Sequence, residues 1–237
     1  MKKVEKTGNH SSVLVIIAAL NEEKGIGPSL AELRLVLDDP RYLVVDGKSV
    51  DRTVKVAKDM GAEVLFQDGV GKGQAIAQAI KYVNSDAIKY VVFTDADYTY
   101  PVKCVPEMIQ ILEKNPKVGM VCGNRFTHSL TLSAMKSFFF VGNRILAWTQ
   151  RLINGVHLID PLTGLRVIRW NILKNWEPKS KGFDIEVEIN HRVENEGYKI
   201  VEIPIQYRCR VGEKKLKLKD GFTIFKRIIL ESLTHLG

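Results

Sequence analysis

Asp95 and Asp97 stand one residue apart at the end of a short apolar run, Tyr90-Val91-Val92-Phe93-Thr94. Carboxylate oxygens are hard donors that suit Mg or Mn rather than zinc. In open α/β sheets, ligands collect outside the carboxyl ends of strands. If the run is a central strand, its end offers a site where a divalent cation could hold a diphosphate. The same two acids could equally cap a turn, and Asp-X-Asp spacing alone does not separate the two readings.

Other segments carry chemistry of a matching kind. Ala18-Ala19-Leu20-Asn21-Glu22-Glu23 and Asp46-Gly47-Lys48-Ser49 each follow a short apolar run. A strand-end carboxylate such as Asp46 can accept from a base N–H or a ribose hydroxyl, and it can also be a plain turn residue before Gly47. Asp51 stands where a helix cap is expected. Gly69, Gly71 and Gly73 surround Lys72 without the Ser or Thr of a Walker loop, so a P-loop ATPase is set aside. Cys104, Cys122 and Cys209 have neither Cys-X-X-Cys spacing nor a nearby His, which speaks against a disulfide framework or structural zinc and points to a reducing compartment.

These residues need a parallel sheet with crossover helices, and the first half of the chain has that pattern. Strands are predicted at 13–17, 42–45, 63–66, 90–94 and 118–122, with helices at 22–37, 51–60, 72–83 and 105–114. From 132 to 153 the chain is rich in Phe, Leu and Ile, with charges only at Lys136, Arg144 and Arg151. That stretch predicts an amphipathic helix facing either the core or a lipid surface. A turn at Asp160-Pro161, a helix at 183–194, a strand at 199–207 and a final helix at 222–236 follow.

At 237 residues and 45% hydrophobic content, one substantial core is expected. No apolar stretch approaches the ~18 residues that cross a membrane, and the N-terminal dozen lacks a signal-peptide core; the expectation is a soluble or peripheral protein. The net charge of +8 points to an anionic partner. Without zinc-finger spacing, an aromatic RNA-binding signature or a long basic helix, nucleic acid is the weakest candidate.

The order and spacing of these motifs, with Gly123-Asn124-Arg125-Phe126 after the fifth strand, resemble the family-2 inverting glycosyltransferases of the GT-A fold. Two later segments narrow the likeness to the dolichol-phosphate mannose synthase and polyprenyl-phosphate glycosyltransferase branch. Asp160-Pro161-Leu162-Thr163-Gly164-Leu165-Arg166 is similar to that branch's Asp-Pro-X-Ser/Thr-Gly-Phe-Arg, and Arg210-Val211-Gly212-Glu213-Lys214-Lys215-Leu216 to its Arg-X-Gly-X-Ser-Lys-Leu. The resemblance covers about residues 12–217. It implies a mostly parallel GT-A sheet flanked by helices in a single 1–237 domain. That domain divides into a nucleotide-sugar half (12–126), an acceptor half (127–217) and a C-terminal amphipathic helical appendage (218–237).

For the site, the resemblance implies nucleotide contacts from Ala18, Leu20, Glu22, Asp46, Lys72 and Ala96. It places Mg or Mn on Asp95 and Asp97, and the acceptor phosphate on Arg125, Arg210 and Lys215. The implied reaction is inverting transfer of a hexose from GDP-mannose, a UDP-hexose or a UDP-N-acetylhexosamine to a polyprenyl (dolichyl) phosphate. An ionised phosphate needs no general base, so Asp95, Asp97, Arg125 and Arg210 would align charge rather than move protons. Membrane attachment through 132–153 and 220–236, on the cytoplasmic face, would follow. Thr99 stands where mannose synthases carry a Gln metal ligand, and Ala18 and Leu20 where they carry Pro and Tyr, so the base and sugar stay open. The alternatives are a saccharide or protein hydroxyl acceptor, with Asp184 or Glu186 as base, or a non-catalytic nucleotide-sugar-binding protein.

Overall fold

The computed structural model describes residues 10–83, 85–127, 138–213, 215 and 217–233, with only the backbone for 138–140 and 218. Its strands are β1 Val13–Ala19, β2 Arg41–Asp46, β3 Glu63–Phe66, β4 Tyr90–Asp95, β5 Val118–Asn124, β6 Arg166–Arg169 and β7 Lys199–Pro204, in the order β3-β2-β1-β4-β6-β5-β7. The strands from β1 to β4 pair in parallel, as the crossover pattern requires, and β7 is parallel to β5. Alternation along β1 explains the layering. Val13, Val15 and Ile17 face α1 (Ile26–Val36) and α4 (Val105–Lys114), whereas Leu14 and Ile16 face α3 (Lys72–Tyr82). α2 (Thr53–Asp59) packs beside α1.

β6 runs antiparallel between β4 and β5, pairing Phe93 with Arg166 and Tyr90 with Arg169. A turn at Asp160-Pro161 is expected here but no strand, because only Val167 and Ile168 lie between the two arginines. The fold satisfies Arg166 internally. Its buried guanidinium donates to the carbonyls of Thr163 (2.8 Å) and Pro161 (2.6 Å) and to Asn190. Since β6 lies inside the sheet formed by the first half of the chain, residues on both sides of 126 share one sheet.

Other boundaries also move. The first helix begins at Ile26 rather than Glu22, since Asn21 takes a left-handed φ of 50° and Glu22 O closes a turn on the Gly25 and Ile26 amides. β7 stops at Pro204 rather than 207, because the chain leaves the sheet and lies along the end of β4: Arg208 N donates to Thr99 O (2.9 Å) and Val211 N to Asp97 O (3.2 Å). The last helix starts at Leu218 rather than Phe222, with Asp220 Oδ2 accepting from Lys217 N at 2.7 Å.

The remaining helices form a third layer. α5 (Phe138–Asn154) follows residues 132–137, which lie outside the described set, and the short α6 spans Trp170–Leu173. α7 (Ile185–Asn195) and α8 (Leu218–Leu233) pack through Val187, Ile224 and Ile228. Asn154 Nδ2 donates to Ile228 O at 3.2 Å, joining α5 to α8. The expected C-terminal appendage is therefore packed onto α5 and α7 rather than standing apart. No helix among the described residues is long and apolar enough to cross a membrane.

Candidate active site

The strand register brings the candidate carboxylates together. Ala18, near the end of β1, pairs with Asp95 at the end of β4. Asp97, 2% exposed, lies in the turn beyond, where its Oδ1 accepts from Thr99 N (3.1 Å) and Thr99 Oγ1 (2.6 Å). Thr99 thus orients Asp97. Arg210 donates from Nη1 to Asp97 Oδ2 at 2.7 Å and from Nη2 to Glu22. Burial pushes the Glu22 carboxyl up to about 7, against the pull of Arg210 and with Asp97 adding to the rise. Glu22, expected on the nucleotide, pairs its carboxylate with Arg210 beside the end of β4.

Asp95 belongs to a second charged group. Lys72 Nζ lies 2.6 Å from Asp95 Oδ1 and 2.8 Å from Glu186 Oε1. Burial opposes ionisation of Asp95, but the Lys72 ammonium, with Arg125 and Arg210 farther off, holds its carboxyl below the usual range. Burial would likewise lower Lys72, and its two carboxylates raise it instead, so the ammonium persists. Lys72 begins α3 after Gly71, whose φ of 102° suits glycine.

The third group surrounds Arg125. Its Nε and Nη2 donate to Asp160 at 2.6 and 2.7 Å, and its guanidinium stacks on Tyr207 with a 5.4 Å centroid distance. Tyr207 meets Tyr100 edge-on at 5.2 Å, and the Tyr100 hydroxyl accepts from Gly164 N at 2.6 Å. The two expected phosphate-clamping arginines therefore border the same carboxylate pair, but each is engaged by acids of the chain. Lys215, half-buried, lies within electrostatic reach of Glu22.

On the nucleotide side, Asp46 Oδ2 accepts from the amides of Lys48 and Ser49 at 3.0 Å each, while its buried Oδ1 has no partner among the described residues. Leu20 is exposed, Ala18 half-buried and Ala96 buried. Asp51 holds Thr53 N at 2.9 Å and Glu23 N at 3.1 Å, tying the loops after β1 and β2 together as a cap would. Asp184 is held by other partners: Oδ1 accepts from Gly182 N and Oδ2 from Arg227 of α8. Sequence reading did not mark Tyr100 or Tyr207, which lie in segments with no local motif, nor link Glu186 to Lys72 or Asp160 to Arg125, contacts that span 114 and 35 positions.

The carboxylate pair fits a divalent cation. Both side chains present hard oxygens at one strand end, and Asp95 Oδ2 has no hydrogen-bond partner among the described residues. Gly164 keeps that carboxylate open, since a Cβ there would lie 2.8 and 2.9 Å from the Asp95 oxygens. Gly25 lets the backbone of the Ala96-Asp97 turn approach closely from behind, where a Cβ would meet Ala96 O at 2.4 Å.

A mostly parallel sheet with paired acids at its crest defines a GT-A-like fold. Residues 14–167 match the model of glycosyl transferase family 2, and the chain belongs to that family. It is 33% identical over 217 residues, 91% of each chain, to a dolichyl-phosphate hexose transferase of Haloferax volcanii. It is 30% identical over 231 residues to glycosyltransferase AglJ of the same organism, covering 94% of this chain and 73% of that one. Among solved structures, glucosyl-3-phosphoglycerate synthase from Mycobacterium tuberculosis with Mn2+, UDP and glucosyl-3-phosphoglycerate superposes with a TM-score of 0.68 at 20% identity, over 94% of this chain and 79% of that one. The protein is a glycosyltransferase.

Proposed function

We propose that the protein transfers a hexose, with inversion, from a nucleotide sugar to a polyprenyl (dolichyl) phosphate, using Mg or Mn at Asp95 and Asp97. The observation that carries this reading is the cluster at the end of β4, where two carboxylates are bordered by Lys72, Arg125 and Arg210. The cation supplies charge neutralisation for the leaving nucleoside diphosphate. Ala18, Leu20, Asp46, Lys72 and Ala96 surround the donor, and Arg125, Arg210 and Lys215 take the acceptor phosphate once it outcompetes their carboxylate partners. Residues 12–126 are the donor half and 127–217 the acceptor half. The Haloferax relative named for dolichyl phosphate supports the acceptor class, and the UDP and Mn2+ in the mycobacterial neighbour support the donor class and cation.

The tail of such an acceptor needs a membrane, and the outer faces of α5 and α8 suit one. Val141, Ile145, Trp148 and Leu152 are exposed on α5, and Phe222, Phe225, Ile229 and Leu233 on α8. We place the protein peripherally on the cytoplasmic face. The test is a panel of UDP- and GDP-sugars with Mg or Mn and a short polyprenyl phosphate. Metal-dependent label transfer to the lipid supports the reading; transfer only to a soluble glycan, or binding without transfer, overturns it.

One observation favours a hydroxyl acceptor instead: Glu186 Oε2 is buried without a partner among the described residues and beside Asp95's ammonium partner, where a general base could stand. The same panel with saccharide acceptors separates the two.

A further inference from the structure

We propose that the outer face of α5 forms a pocket for the phosphate headgroup of an anionic membrane lipid, with Arg144 and Arg151 as its phosphate-binding groups. Arg144, Trp148 and Arg151 fall at i, i+4 and i+7, one face of the helix. The segment after α5 runs beside that face with alternating burial: Val156, Leu158 and Asp160 point inward, His157 and Ile159 outward. Together they enclose a cavity of about 170 Å³ with no carboxylate in its wall. Neither arginine has an acidic partner among the described residues, unlike Arg125, Arg208 and Arg210, each of which is neutralised by a carboxylate. Unpaired guanidinium groups converging on one small hollow are suited to bidentate phosphate binding.

The rim identifies the source of that phosphate. Trp148 is 64% exposed, and Ile145, Leu152 and Ile159 beside it are 56%, 62% and 48% exposed. A cationic hollow within an apolar rim, carrying an exposed Trp, matches the headgroup level of a bilayer, where indole rings settle and aliphatic side chains meet acyl chains. The cavity is smaller than the roughly 300 Å³ at which sites begin to enclose whole small molecules, so a headgroup fits and a nucleotide does not. The hollow is separate from the acceptor cluster. Asp160, which holds Arg125, points to the opposite side of the segment that carries His157 and Ile159. Seating a lipid here would orient that segment, and with it the Asp160–Arg125 pair, toward the bilayer.

This inference rests on the membrane reading proposed above. Its test is flotation of the full chain with phosphatidylcholine vesicles carrying either about 30 mol% phosphatidylglycerol or enough oleate to match that surface charge, as set by electrophoretic mobility. Diffuse attraction treats the two alike, at about fivefold in affinity per basic residue. The pocket predicts roughly tenfold tighter binding to the phosphate-bearing vesicles, the equivalent of one additional hydrogen bond to a charged group. Arg144→Gln with Arg151→Gln should abolish that preference, while Lys219→Gln with Lys226→Gln, a matched loss of charge on α8, weakens binding to both vesicles and keeps it. No preference in the wild type, or its loss in both double variants, overturns the pocket. Because flotation needs no donor or acceptor, a positive result alongside failed transfer to polyprenyl phosphate would remove the proposed reaction and leave the pocket standing.

Discussion

Arg210 and Asp97 form an ion pair of 2.7 Å at one of the two carboxylates proposed to hold a divalent cation. The guanidinium therefore competes with the cation for Asp97, and Glu22 gives it a second seat when it yields. Arg210→Gln should raise the affinity of donor-free protein for Mn2+ about tenfold, the equivalent of one modest ion pair, while lowering the rate of transfer. Electron paramagnetic resonance of free Mn2+ during titration checks this, and an unchanged affinity would show that Arg210 does not compete.

Lys72 is the sole cation bonded to both Asp95 and Glu186 among the described residues, and it is 14% exposed. Lys72→Met should cost about 3 kcal/mol, as expected when one member of a buried ion pair is removed. For a chain of this length that lowers Tm by roughly 6–12 °C. Adding Glu186→Gln should recover part of the loss, which a thermal-melt double-mutant cycle measures.

A Cβ on Gly164 would press on both Asp95 carboxylate oxygens, the Lys72-bound Oδ1 included. Gly164→Ala should lower Tm by less than Lys72→Met does, since the carboxylate can turn while keeping its cation nearby, yet reduce transfer by about a hundredfold by moving the charged group. Comparing Tm with kcat decides it: a matched fall in both would make Gly164 a packing residue.

Burial pushes the Glu194 carboxyl up to about 7. A raised carboxyl contributes stability that is complete below its unfolded value of about 4.5 and is lost as pH rises through about 7. Glu194→Gln should therefore gain in Tm over the wild type between those values, with the difference levelling above pH 7. Melts across that window test the sign.

The sheet and the carboxylate pair were legible because β-branched runs set the strands and because Asp95 and Asp97 are neighbours in sequence. The fourth strand in particular reads directly from Tyr90 to Thr94. β6 did not, since two arginines bracket two apolar residues and only the fold finds partners for Arg166. The positions of Arg125 and Arg210 were anticipated, whereas their partners Asp160 and Glu22 were not, because no local pattern encodes a contact between strand ends. Thr99 marked a departure from the mannose-synthase motif; its hydroxyl bond to Asp97 gives that departure a structural role.

β6 runs against its neighbours, so the loop that reaches the carboxylates is the one entering the strand. Gly164 is fixed against Asp95 by the strand that follows it. Asn143 of α5 also donates to Asp160 at 3.1 Å, so the helix that precedes this turn is tied to it as well. A strand that reverses the direction of the sheet thus doubles as the anchor that carries its own entry loop to the carboxylates.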